Sequence, residues 1–103
     1  FQSLRSEILS NFAKPWTVGQ MADRVHLSRS RFMALYREYF GVTPVDDLIE
    51  TRLRHACRLL TDASMTVADV GRDCGFDSPA YFSRLFRKRV GCPPSDYYRR
   101  LVQ

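Results

Sequence analysis

Arg84, Arg87, Lys88, Arg89, Arg99 and Arg100 crowd the last quarter of a 103-residue chain, opposed there by Asp96 alone. Residues 1–77 hold ten Lys or Arg and ten Asp or Glu, so the whole net charge of +5 lies beyond them. Cations gathered in one place favour a polyanion, because each phosphate contact releases condensed counterions; an excess serving only solubility would be spread along the chain. Within the cluster the chemistry divides. The planar guanidinium of Arg84 can bond O6 and N7 of a guanine together, a discrimination of roughly 1–3 kcal/mol. Arg87, Lys88, Arg89 and Arg99 come later and suit phosphate oxygens.

These side chains need a rigid element to aim them. Phe82, Leu85, Phe86 and Val90 recur at helical spacing between Ser78-Pro79 and Gly91, which predicts a capped helix with this stripe turned inward. The opposite face is then Ala80, Ser83, Arg84, Arg87 and Lys88. Ala80, Ser83 and Arg84 lie toward the end where such a helix approaches base edges. Ahead of it, Thr66 caps a short segment that ends in the Cys74-Gly75-Phe76-Asp77 turn. Helix, tight turn and basic second helix is the layout that seats one helix in a major groove while another braces it.

The same layout occurs earlier in the chain. Shifted by 49, Thr17, Val18, Ala22 and Leu27 fall on Thr66, Val67, Gly71 and Phe76; shifted by 50, Ser28, Phe32, Leu35, Tyr36, Arg37, Gly41 and Pro44 fall on Ser78, Phe82, Leu85, Phe86, Arg87, Gly91 and Pro94. Ala22 and Gly71 must be small where bracing and recognition helices cross closely, and Leu27 and Phe76 fill the space beneath the turn. Gly75 can take positive φ there, and His26 stands at the matching site. The first copy exposes Ser30, Met33 and Ala34 as candidate base contacts, with Arg29, Arg31 and Arg37 as candidate phosphate contacts. Met33 and Ala34 donate no hydrogen bonds, so this copy reads thymine methyls and shape and is the weaker reader. Arg31 and Arg37 are equally well accounted for as solvated arginines.

A support helix over residues 3–12, placing Leu4, Ile8, Leu9 and Phe12 on one face, precedes the first copy. Between the copies, Thr43-Pro44 opens a helical pattern of Val45, Leu48, Ile49, Leu53, Ala56, Cys57, Leu59 and Leu60. It runs to about Asp62, roughly 27 Å at 1.5 Å per residue. With no alternating strand pattern, the fold is all-α, about seven helices in two helix-turn-helix subdomains (1–43 and 63–103) joined by a long linker helix (44–62).

Other chemistry has no pattern to support it. Cys57, Cys74 and Cys92 lack zinc-ligand spacing and read as reduced thiols packed as small hydrophobes, so neither metal nor cofactor is expected. No carboxylate pair, Cys-His pairing or phosphate-cradling loop marks an enzyme. No apolar run approaches the ~20 residues that span a bilayer, and the expected location is cytoplasmic. His26 reads as a turn residue and His55 as an exposed helical one. Tyr36 falls on a core stripe, and Trp16 is assigned to packing.

The second copy resembles the AraC family of bacterial transcription regulators almost throughout, in Val67-Ala68, Cys74-Gly75-Phe76, Asp77-Ser78, Tyr81-Phe82, Leu85-Phe86-Arg87, Gly91, Pro94 and Tyr97. Gly41, Thr43-Pro44, Leu48, Arg52-Leu53, Ala56 and Leu59-Leu60 are similar to its linker-helix pattern. Pro93, Tyr98 and Asp47 depart from it; at the last an aromatic is common. The resemblance implies a double helix-turn-helix domain binding double-stranded DNA, with recognition helices in successive major grooves, and it puts Tyr81 and Tyr97 at packing positions, which assigns both to the core. It also implies RNA polymerase and a separate N-terminal effector-binding or dimerisation domain as partners, and a start at Phe1 without Met fits a piece of a longer protein. The competing reading is a protein-interaction module whose first unit contacts RNA polymerase while only the second binds DNA.

Overall fold

Seven α-helices follow one another: α1 (Gln2–Ser10), α2 (Val18–Arg24), α3 (Arg29–Phe40), α4 (Pro44–Leu59), α5 (Val67–Asp73), α6 (Pro79–Val90) and α7 (Pro94–Leu101). The structure, a computed structural model, describes residues 1–101, with side chains as far as Tyr97. Among the described residues there is no strand, in agreement with the all-α expectation. The chain divides into two compact units, Phe1–Thr51 and Arg52–Gln103, with the boundary inside α4.

In the first unit, local side chains set the helix ends. The Asn11 amide donates to the Glu7 carbonyl at 2.8 Å and closes α1, ahead of the expected end near Phe12. Thr17 and Gln20 form a reciprocal capping box on α2, and the Ser28 hydroxyl accepts from the Arg31 amide to cap α3. Gly41, at φ 74°, ends α3 in the left-handed conformation that a side chain would resist. Leu4, Ile8, Met21, Ala22, Phe32, Tyr36 and Leu48 form the core. A fully buried aromatic such as Phe32 contributes about 1.5–3 kcal/mol.

One core position holds a carboxylate. Asp47 is 5% exposed and accepts from Arg5 Nε at 2.8 Å, from Arg5 Nη2 at 3.2 Å and from the Tyr36 hydroxyl. The three residues tie α1, α3 and the start of α4 together, with the Arg5 guanidinium also 4.8 Å from the centre of the Phe40 ring. Val45, expected on the inward stripe, is exposed, because Leu48 and Asp47 take the inward side of that turn.

The second unit repeats these devices. Thr66 and Asp69 form a capping box on α5, Ser78 caps α6 ahead of Pro79, and Gly91 ends it at φ 103°. Phe82 and Phe86 are fully buried, with ring centroids 5.7 Å apart, and Tyr97 of α7 packs edge-on to Phe86 at 5.6 Å. The α4 helix ends at Leu59, short of the expected Asp62. The Asp62 carboxylate instead accepts from the Ser64 amide and hydroxyl at 2.9 and 2.7 Å, and this local turn competes with another helical turn. Cys74 and Cys92 are buried free thiols, and Cys57 is half-buried. Burial pushes the Cys74 thiol up to about 11, with the nearby Asp73 charge adding to the effect. His55, expected to be exposed, is half-buried, and burial followed by the charges of Arg58 and Arg54 lowers its pKa.

Candidate nucleic-acid interface

The second unit's recognition helix is aimed from below by two close contacts. At Gly71 in α5 an added Cβ would lie 2.8 Å from Cδ2 of Phe82, so α5 and α6 approach to a distance that excludes any side chain. Phe76 is 6% exposed and packs tilted against Phe82 with ring centroids 5.0 Å apart, beneath a turn that Gly75 makes at φ 94°. Arg52 of α4 lies 5.9 Å over the Phe76 ring. Burial lowers its pKa, while Asp77, Tyr81 and Cys74 act to raise it.

With Phe82 and Phe86 turned in, α6 exposes Ala80, Arg84, Arg87, Lys88 and Arg89. Ser83 differs from expectation in being half-buried at the edge of that face. Arg87, Lys88 and Arg89 occupy the last turn, where cations also complement the helix dipole. Arg99 lies outside the described side chains. Tyr81 corrects the core assignment: it is 41% exposed, and the Arg84 guanidinium stands 5.9 Å from its ring centre. Helical angle alone is enough to find this, since Tyr81 neighbours Ala80 and precedes Arg84 by one turn.

In the first unit, α3 exposes Arg29, Ser30, Arg31, Met33, Ala34 and Arg37. Ala22, 1% exposed, occupies the position that Gly71 holds in the second unit. The Arg29 guanidinium folds toward α2, so that a Cβ at Gly19 would meet its Nε and Nη2 at 3.1 Å. His26 adopts φ 57° at the turn, the left-handed conformation that Gly75 takes without a side chain. The aromatic positions differ in role: Tyr36 is core, whereas Tyr39 is 70% exposed with its ring 5.5 Å from Phe1. Trp16 is half-buried, donates to the Asn11 carbonyl at 2.9 Å and carries the Arg24 guanidinium 5.5 Å above its ring.

Among the described residues, no group of three His, Cys, Asp or Glu side chains is placed to hold a metal ion, and no helix is long and apolar enough to cross a membrane. The arrangement that remains is two units, each presenting an exposed helix face braced by a shorter helix. Residues 21–100 match the helix-turn-helix domain family. The chain belongs to the AraC family of transcription regulators, as its helix-turn-helix DNA-binding domain.

Relatives of the AraC family place that match in a longer frame. The arabinose operon regulatory protein of Escherichia coli strain K12 is 38% identical over 80 residues, covering 78% of this chain and 27% of its own length. The MmsAB operon regulatory protein of Pseudomonas aeruginosa is 37% identical over 84 residues, covering 82% of this chain and 27% of its own. The chain thus spans about a quarter of the length of these relatives. Its structure is similar to the DNA-binding domain of AdpA solved with a target DNA, with a TM-score of 0.89, 29% identity, and coverage of 96% of this chain and 89% of that one. An AraC-type regulator from Chromobacterium violaceum aligns with a TM-score of 0.83 at 27% identity over 99% of this chain and 91% of that one. The family match runs through both units, and the reading in which only the second binds DNA finds no support in these comparisons.

Proposed function

We propose that the chain binds double-stranded DNA sequence-specifically with both recognition helices, each in one of two successive major grooves. The exposed stripe of Ala80, Arg84, Arg87 and Lys88 opposite buried Phe82 and Phe86 carries this reading. In this reading the Arg84 guanidinium meets a base edge, and Arg87 and Lys88 neutralise phosphates. Helix α6 is therefore the stronger reader, and Ser30, Met33 and Ala34 of α3 add methyl contact and shape. No catalytic step is assigned to any residue. RNA polymerase, a sensing or dimerising domain N-terminal to this one, and a cytoplasmic setting are further parts of the proposal, taken from the family.

Selection of bound sites from random duplexes, followed by footprinting and salt titration, tests it. Arg84→Ala relaxes specificity at one base pair and leaves the salt slope intact. Arg87→Ala or Lys88→Ala weakens binding to all duplexes and shallows the slope by about 0.9 for each phosphate that is no longer neutralised. Protection of a single groove, or an Arg84 variant behaving as the phosphate variants do, would overturn the proposal.

A further inference from the structure

Tyr81 has a place in the α6 face that packing does not explain. Its ring centroid lies 6.2 Å from that of the buried Phe76, tilted against it, and Tyr81 remains 41% exposed. The Arg84 guanidinium, one helical turn on, lies 5.9 Å from the ring centre. Arg52, on α4, lies over the neighbouring Phe76 ring at 5.9 Å, so the guanidinium over Tyr81 is that of Arg84.

An arginine on a helix surface samples many rotamers and loses that freedom when it docks on a base edge. A ring that already holds the guanidinium in one plane removes part of that loss, and a bidentate contact depends on the plane being right. The first unit has no such arrangement in sequence: the positions matching Tyr81 and Arg84 are Arg31 and Ala34.

We propose that Tyr81 is a positioning residue for base recognition, its ring holding the Arg84 guanidinium in the orientation in which it meets a guanine. The inference rests on the reading of Arg84 as a base contact, and it adds a specificity role for an aromatic that does not itself touch the base.

The test compares affinities for the selected duplex and for one altered at the base pair whose discrimination Arg84→Ala abolishes. Tyr81→Leu removes the ring and should lower the ratio of the two affinities about 2- to 5-fold, with the salt slope unchanged. Tyr81→Phe keeps the ring and should retain the ratio. In the Arg84→Ala background, Tyr81→Leu should change nothing further. Side-chain nitrogen relaxation at Arg84 in the free protein gives a second readout, expected to show faster motion in Tyr81→Leu and not in Tyr81→Phe. The proposal fails if Tyr81→Leu weakens both duplexes equally, if its effect persists without Arg84, or if the motion of Arg84 is unchanged. Should Arg84→Ala alter discrimination at no base pair, the base-contact reading itself is what has failed.

Discussion

The Tyr36 hydroxyl donates to the Asp47 carboxylate inside the first unit, where Asp47 stands in place of the aromatic expected from family resemblance. With Arg5 donating twice to the same carboxylate, the buried acid is charge-compensated by a guanidinium whose own side chain stays 32% exposed. Polar groups so arranged act as one network, and removing the shared acceptor strands the Tyr36 hydroxyl in the core. Asp47→Ala should cost about 2 kcal/mol of stability, read from chemical denaturation. Equal stability of the variant would mean that the network contributes nothing.

The same network sets an alkaline limit. Burial, then the hydrogen bond to Asp47, raises the Tyr36 pKa well above its ordinary 10.0. Below pH 10 the phenol is neutral folded and unfolded, so its contribution is intact. Above that, the unfolded chain gives up the proton while the folded chain keeps it, and stability falls by up to about 1.4 kcal/mol per pH unit for this group. Tyr97, also raised, adds the same sign. Denaturation between pH 9.5 and 11.5 should show a shallower fall for Tyr36→Phe than for the parent chain.

Thiol reactivity should follow burial. At pH 8 a thiol raised to about 11 is ionised to roughly one part in a thousand, and Cys74 is shielded as well. Alkylation followed by mass spectrometry should label half-buried Cys57 first, with Cys74 and Cys92 modified only on unfolding. Early labelling of Cys74 in the native state would contradict this packing.

At the turn of the first unit, His26 holds φ 57°. A left-handed side-chain residue costs roughly 1–2 kcal/mol, and glycine's extra freedom when unfolded offsets about 0.5–1 of that. His26→Gly should therefore raise stability by about 0.5 kcal/mol, measurable as a small rise in denaturation midpoint.

What the sequence conveys well is local. Thr17, Ser28, Thr66 and Ser78 each cap a helix through an amide three residues on, and Gly41 and Gly91 stop helices by their own conformation. The stripes of α3 and α6 follow from spacing within one helix. What escapes is non-local or hidden behind residue type. Arg5 and Tyr36, which donate to the Asp47 carboxylate, lie 42 and 11 residues away, beyond any periodic pattern. Tyr81 reads as core because the family resemblance puts it at a packing position, although its helical angle sets it beside Arg84. The end of α4 is masked by a three-residue turn at Asp62–Ser64 that competes with the helix through side-chain hydrogen bonds.

Two glycines in bracing helices should respond oppositely to the same change. Alanine in place of glycine gains about 0.5–1 kcal/mol of helix propensity wherever the Cβ fits. At Gly71 it does not fit: the Cβ would meet the buried Phe82 ring at 2.8 Å, and overpacking of that kind costs about 1–3 kcal/mol. Gly71→Ala should be net destabilising and, by displacing α6, should weaken DNA binding as well. At Gly19 the Cβ would meet only the flexible end of Arg29, at 3.1 Å, which can swing aside. Gly19→Ala should keep or slightly raise stability, and if Arg29 holds a phosphate it should shallow the salt slope of DNA binding. Parallel melting curves and salt titrations of the two variants check both halves, and a destabilised Gly19→Ala would mean that Arg29 is pinned where it lies.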